Sequence, residues 1–186
     1  MKKTKADKIC FFEDDGGKRI LKLCIDIDLL QHILDEETNF RENHFAETLK
    51  ITGNKFIIKH IDDPVFLRLY SYALDGLTVI LRSLISSIKF PAVFSTNNRS
   101  YATVDSSEID VNTLFALCSI IEKYLTMRIL CAWYLRCNLQ QIYELCKAEL
   151  DETESSLKNL LSKKTASIPV CELNLGLESG ARKWYQ

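Results

Sequence analysis

The stretch "IDDPVFLRLYSYALDGLTVILRSLISSIKF", Ile61 to Phe90, constrains the fold more than any other part of the chain. Phe66, Tyr70, Ala73, Leu77, Ile80, Leu84 and Ile88 recur every three or four residues, which sets them on one face of a helix. Asp63 is placed as its N-cap. Pro64 falls in the first turn, where no backbone N–H is needed, and Pro91 stops the helix. Further apolar residues flank the stripe, so this helix is expected at the centre of the fold. Arg68, Asp75 and Arg82 interrupt it, whereas a membrane span needs roughly 20 nearly uninterrupted apolar residues. No membrane contact is expected.

A chain of 186 residues with 47% hydrophobic content can bury a sizeable core as one domain or a compact pair. Its 24 basic and 25 acidic side chains nearly cancel, so no global field draws it toward nucleic acid, anionic lipid or an acidic substrate. A charged partner must therefore be met by a local patch. The N-terminal apolar run Ile9 to Phe12 is far shorter than a signal-peptide core, and the expected location is intracellular: cytoplasm, or nucleus in a eukaryote. The seven cysteines are an odd number without a C-x-x-C spacing, and His32, His44 and His60 lie far from the cysteine cluster in sequence. Reduced, buried thiols are expected rather than zinc, and no metal or cofactor is assigned.

In the N-terminal part, Leu21, Leu23, Ile25 and Ile27 alternate with Lys22, Cys24, Asp26 and Asp28. With "EDDGGK" as the turn, the pattern is a β-hairpin. Asp28 is expected to cap a short helix over "LLQHILDEE". "TGNKFIIKHI" reads as a strand, and "AVFS" and "YATV" as two more around an Asn-Asn turn.

From Asp105 the signal is helical. Asp105 with Glu108, or Ser107 with Asp110, has capping-box spacing, and Cys118, Ile121 and Leu125 line one face. Ile129 to Tyr134 continue a helix to about Cys137, and Asn138 opens another with Ile142, Tyr143 and Cys146 inward. Ala148-Glu149-Leu150 reads as a tight turn. Asp151 and Glu154 then form a D-x-x-E box opening a third helix, with Leu157, Leu160 and Leu161 buried. Last comes "SIPVCELNLGLESGARKWYQ", alternating residues and an "ESGA" turn that suit a closing hairpin.

Helix, helix-turn-helix, then hairpin resembles the winged-helix family over the last third of the chain. The resemblance implies that the helix from Asp151 enters the major groove of duplex DNA, with Ser155, Ser156, Asn159, Lys163 and Lys164 outward and Arg182 and Lys183 on the wing. Against this stand nine basic and eleven acidic residues between Asp105 and Gln186, with Glu149, Asp151, Glu152 and Glu154 at the approaching end. A winged helix used for protein contacts is the alternative.

No catalytic constellation is assigned. Asp26 and Asp28 share a strand face but are explained by capping and by Lys22, and "DDGGK" lacks P-loop spacing. The expectation is an α+β protein. Residues 1–104 form a mixed domain of β-hairpins around a central helix, and residues 105–186 a helical, winged-helix-like domain. It is expected to be non-enzymatic and to act in transcription regulation or another chromosomal process, or as a subunit of a multiprotein complex. The expected partners are duplex DNA and other proteins, or a second copy in a homodimer.

Overall fold

The computed structural model describes residues 10–14, 20–49, 64–82, 99–105 and 111–162. They form strands β1 (Cys10–Asp14), β2 (Ile20–Asp26) and β3 (Arg99–Asp105) and helices α1 (Ile27–Leu49), α2 (Pro64–Arg82), α3 (Val111–Arg136) and α4 (Gln140–Ser162). Helices of 23, 19, 26 and 23 residues outweigh strands of 5, 7 and 7. The described part of the protein is mostly helical, which corrects the α+β expectation of a mixed fold with β-hairpins around one central helix. Segments read as short helices run on as long ones, because neither 27–49 nor 140–162 contains a glycine or proline to stop them.

The sheet has the order β1-β2-β3, all antiparallel. Cys10 lies opposite Ile25 and Leu23 opposite Ala102, and these four side chains are buried on one face. Cys118 of α3 hydrogen-bonds to the Cys10 thiol there, and burial, reinforced by Cys118, pushes that thiol's pKa well up. Cys24, on the opposite strand face, is also buried, so at this point the central strand is covered on both sides.

Helix α1 begins where Asp26 ends β2. Its Oδ1 accepts a hydrogen bond from the Leu29 N–H at 3.2 Å, so Asp26 is the cap rather than Asp28, which is exposed in the first turn. Ile27, Leu30, Leu34 and Thr38 form its buried stripe. On α2 the expected stripe is present over the described part: Phe66, Tyr70, Ala73, Leu77 and Ile80 are buried. Helix α2 is long and apolar enough, by composition alone, to cross a membrane. Here its stripe is spent on the shared core.

Helices α3 and α4 form an antiparallel hairpin. Asn138 takes the left-handed conformation (φ 57°) that an asparagine tolerates better than most side chains. The Cys137 and Leu139 N–H groups donate back to the carbonyls of Trp133 and Tyr134, both at 3.0 Å, closing the C-terminus of α3. On α4 the buried residues Ile142, Cys146, Leu150, Thr153 and Leu157 are spaced as one helical face. Ala148-Glu149-Leu150 is helix, not a turn. One continuous core runs from Cys10 to Leu157, with members from every described element and from both sides of position 104.

Candidate functional site

Among the residues expected to meet DNA, Ser155, Ser156 and Asn159 are exposed on the last turns of α4. Ser155 Oγ donates to the Asp151 carbonyl at 2.8 Å, and Ser156 borders a cavity of about 170 Å³ between α3 and α4 together with Lys123 and Glu152. Lys163, Lys164, Arg182 and Lys183, and the expected wing, lie outside the described residues. The box at Asp151 and Glu154 is not a helix start. Asp151 is bound by Lys147 one turn back, while Glu154 sits 3.6 Å from Arg128 and 3.9 Å from Lys158. The helix-turn-helix break is therefore absent, because every residue from Lys147 to Glu154 is helix-compatible and Leu150 continues the buried stripe. Asp26 serves as a helix cap and Asp28 faces solvent. Among the described residues no group of three or more His, Cys, Asp or Glu is placed to hold a metal ion.

A concave feature among the described residues lies elsewhere. A groove of about 440 Å³ opens where α2 and α4 flank α3, with Leu69, Cys131, Ala132 and Leu150 in its lining. Tyr72 and Leu135 stand at its sides, 51% and 53% exposed. These large apolar side chains border a cleft instead of being scattered singly, which is the arrangement that marks interaction sites. Arg128, Arg136 and Lys147 are also in the lining, and among its described residues there is no aspartate or glutamate.

Arg128 shapes one end. Its Nη2 donates to Tyr72 Oη at 2.8 Å, and its guanidinium carbon lies 4.5 Å from the Tyr72 ring centroid. The cation thus holds the aromatic ring in place beside the groove. Its Nε is buried without a hydrogen-bond partner. Close approach of α2 to α3 at this end depends on Gly76: a Cβ there would stand 2.5 Å from Tyr124 Oη. That hydroxyl is likewise buried without a hydrogen bond, and burial pushes its pKa up to about 12.

At the other end, Arg136 sits in the last turn of α3, exposed, and makes no hydrogen bond or ion pair with a described residue. Lys147 is held by Asp151, four residues on along α4. Beneath the groove, burial pushes the Cys131 thiol up to about 12, so it is a neutral apolar surface at physiological pH.

The α1 flank of the same hairpin is built differently. Arg41 of α1 is only 11% exposed and sends Nη1 and Nη2 to the two Glu149 oxygens at 3.0 and 3.2 Å and Nε to Glu37 at 3.3 Å. Burial opposes its charge, but the Glu149 hydrogen bonds and neighbouring negative groups overcome that and raise its pKa. Cys146 beneath it is pushed up to about 11 by burial.

Sequence reasoning did not pick out Tyr72, Leu135 or Arg136. The helix expected through Ile129 to Tyr134 is present and Tyr134 is fully buried, but Leu135 and Arg136, next along it, point outward. The available signal was Tyr72, an aromatic off the Phe66–Tyr70–Ala73–Leu77 stripe. No protein-family model matches the chain, and neither a curated protein nor a solved structure matches it.

Proposed function

We propose that this protein is a non-enzymatic subunit of a multiprotein complex, and that it binds another protein chain at the α2–α3–α4 groove. The observation that carries this reading is the pairing of an apolar cleft with two half-exposed side chains, Tyr72 and Leu135, at its sides. Tyrosine and arginine beside a dry apolar floor are the residue types that dominate binding energy in protein interfaces. Val79, 72% exposed and two turns beyond Tyr72 on the same face of α2, extends the apolar strip along that helix.

Duplex DNA is disfavoured as the partner of the described surface. The exposed side of α4 that carries Ser155, Ser156 and Asn159 also carries Asp151 and Glu152, which repel phosphates.

The test is site-specific photo-crosslinking in native extract, with a photoreactive residue at Leu135 or, as a control, at Ser155. A stoichiometric crosslinked partner at Leu135, absent at Ser155 and lost on Tyr72→Asp, is expected. Equal crosslinking at both positions, or none at Leu135, would refute the assignment.

A further inference from the structure

We infer that the groove's partner segment is an acidic amphipathic helix, an inference that rests on the protein-docking reading above. Three features select this occupant. The first is charge. Among the described residues the lining holds Arg128, Arg136 and Lys147 and no carboxylate; Arg128 is paired with Glu154 and Lys147 with Asp151, whereas Arg136 has no partner. A carboxylate beside the groove gains an ion pair at Arg136 without displacing anything. Lys147 can be drawn on too, because an exposed ion pair with a residue one turn away on the same helix is weak.

The second is shape. The groove follows α3 from Arg128 to Arg136, two turns and roughly 12 Å at 1.5 Å per residue. Side chains at i, i+3, i+4 and i+7 of a docked helix cover a similar length, which is the usual anchoring pattern for a helix in a helical groove. An extended peptide would instead use backbone hydrogen bonds to a sheet edge, and the described lining of the groove comes from α2, α3 and α4. The third is the floor. Leu69, Ala132 and Leu150, with the neutral Cys131 thiol, offer no buried polar demand, so aliphatic anchors can enter without stranding a donor or acceptor. Arg136 at one end then reads the flanking charge, which sets specificity and on-rate more than total affinity.

The experiment uses the full chain and two fluorescent peptides of about fifteen residues with the same leucine face, one carrying Glu at the flanking positions and the other Lys. Anisotropy titration is expected to show the Glu peptide binding at least about tenfold more tightly, with the preference shrinking as salt rises. Arg136→Glu should abolish or reverse that preference. Leu135→Asp should weaken the Glu peptide about tenfold or more. Both positions are exposed, and unchanged circular dichroism will show that both variants fold.

Several results would overturn the inference: equal binding of the two peptides, binding of neither, or a Glu-peptide affinity indifferent to both substitutions. A concentration-dependent dimer of the free protein that Leu135→Asp dissolves would assign the groove to a second copy instead. If a Leu135-dependent crosslinked partner is found while the Lys peptide competes for it as well as the Glu peptide, protein docking stands and the acidic helix falls.

Discussion

The α3–α4 hairpin has two flanks, each with an arginine at the junction, and the two are finished in opposite ways. On the α1 side, Arg41 uses all three of its nitrogens on Glu149 and Glu37 and is almost covered. On the α2 side, Arg128 lies against the Tyr72 ring, reaches Glu154 at 3.6 Å and keeps a buried Nε without a partner beside an open groove. A junction whose polar groups are all satisfied locks two elements together. One that leaves exposed apolar walls beside an open groove keeps binding capacity for something else.

The sharpest way to break this comparison is to show that the hairpin itself is not continuous. Ala148→Pro should cost about 3 kcal/mol or more in urea unfolding, because it removes a helical hydrogen bond and clashes with the preceding turn. In a helix-turn-helix break the same substitution would be nearly neutral. Next in size, Arg41→Met should destabilise by about 2 kcal/mol, since it strands a Glu149 carboxylate that accepted two charged hydrogen bonds. Arg128→Met should cost about 1 kcal/mol or less, its contacts being more exposed. Equal losses would erase the distinction between the flanks.

A double-mutant cycle sharpens the packing of the α2 flank. Gly76→Ala should destabilise despite the roughly 1 kcal/mol that alanine gains in helix propensity, because its Cβ meets Tyr124 Oη. Adding Tyr124→Phe removes that oxygen, which makes no hydrogen bond, and should recover most of the loss.

Alkaline stability probes the two flanks together. The folded-state pKa values of Cys131 and Cys146 are raised from 9.0 to about 12 and about 11, and that of Tyr124 from 10.0 to about 12. A raised pKa means the unfolded chain releases its proton first. The contribution of each group is therefore complete below its ordinary value and is lost as pH climbs through the raised one. The urea midpoint should fall steadily above pH 9.0, with thiols on both flanks contributing.

Much of the fold was legible where one local pattern had one outcome. Pro64 opens α2 as expected, and the alternation through Leu23 and Ile25 does mark a strand paired with its neighbour across 15–19. The C-terminal reading failed because a D-x-x-E spacing serves equally well as a cap or as mid-helix ion-pair partners, and only distant Arg128 and near Lys147 decide which. Leu150 carried the better clue: it keeps the Ile142–Cys146 stripe in phase, whereas a turn would have released it. The Arg41–Glu149 pair, joining residues 108 apart, leaves no local trace. Nor does the groove, because it is made by what three helices leave uncovered.

Carbene footprinting of the full chain, free of partners, tests the open-flank assignment most directly. Tyr72 and Leu135 should be labelled heavily, while Met127 beside Arg41 and Ile142 in the hairpin core remain unlabelled. If Tyr72 and Leu135 were as protected as Met127, the α2 flank would be as closed as the α1 flank, and the groove would hold no place for a partner.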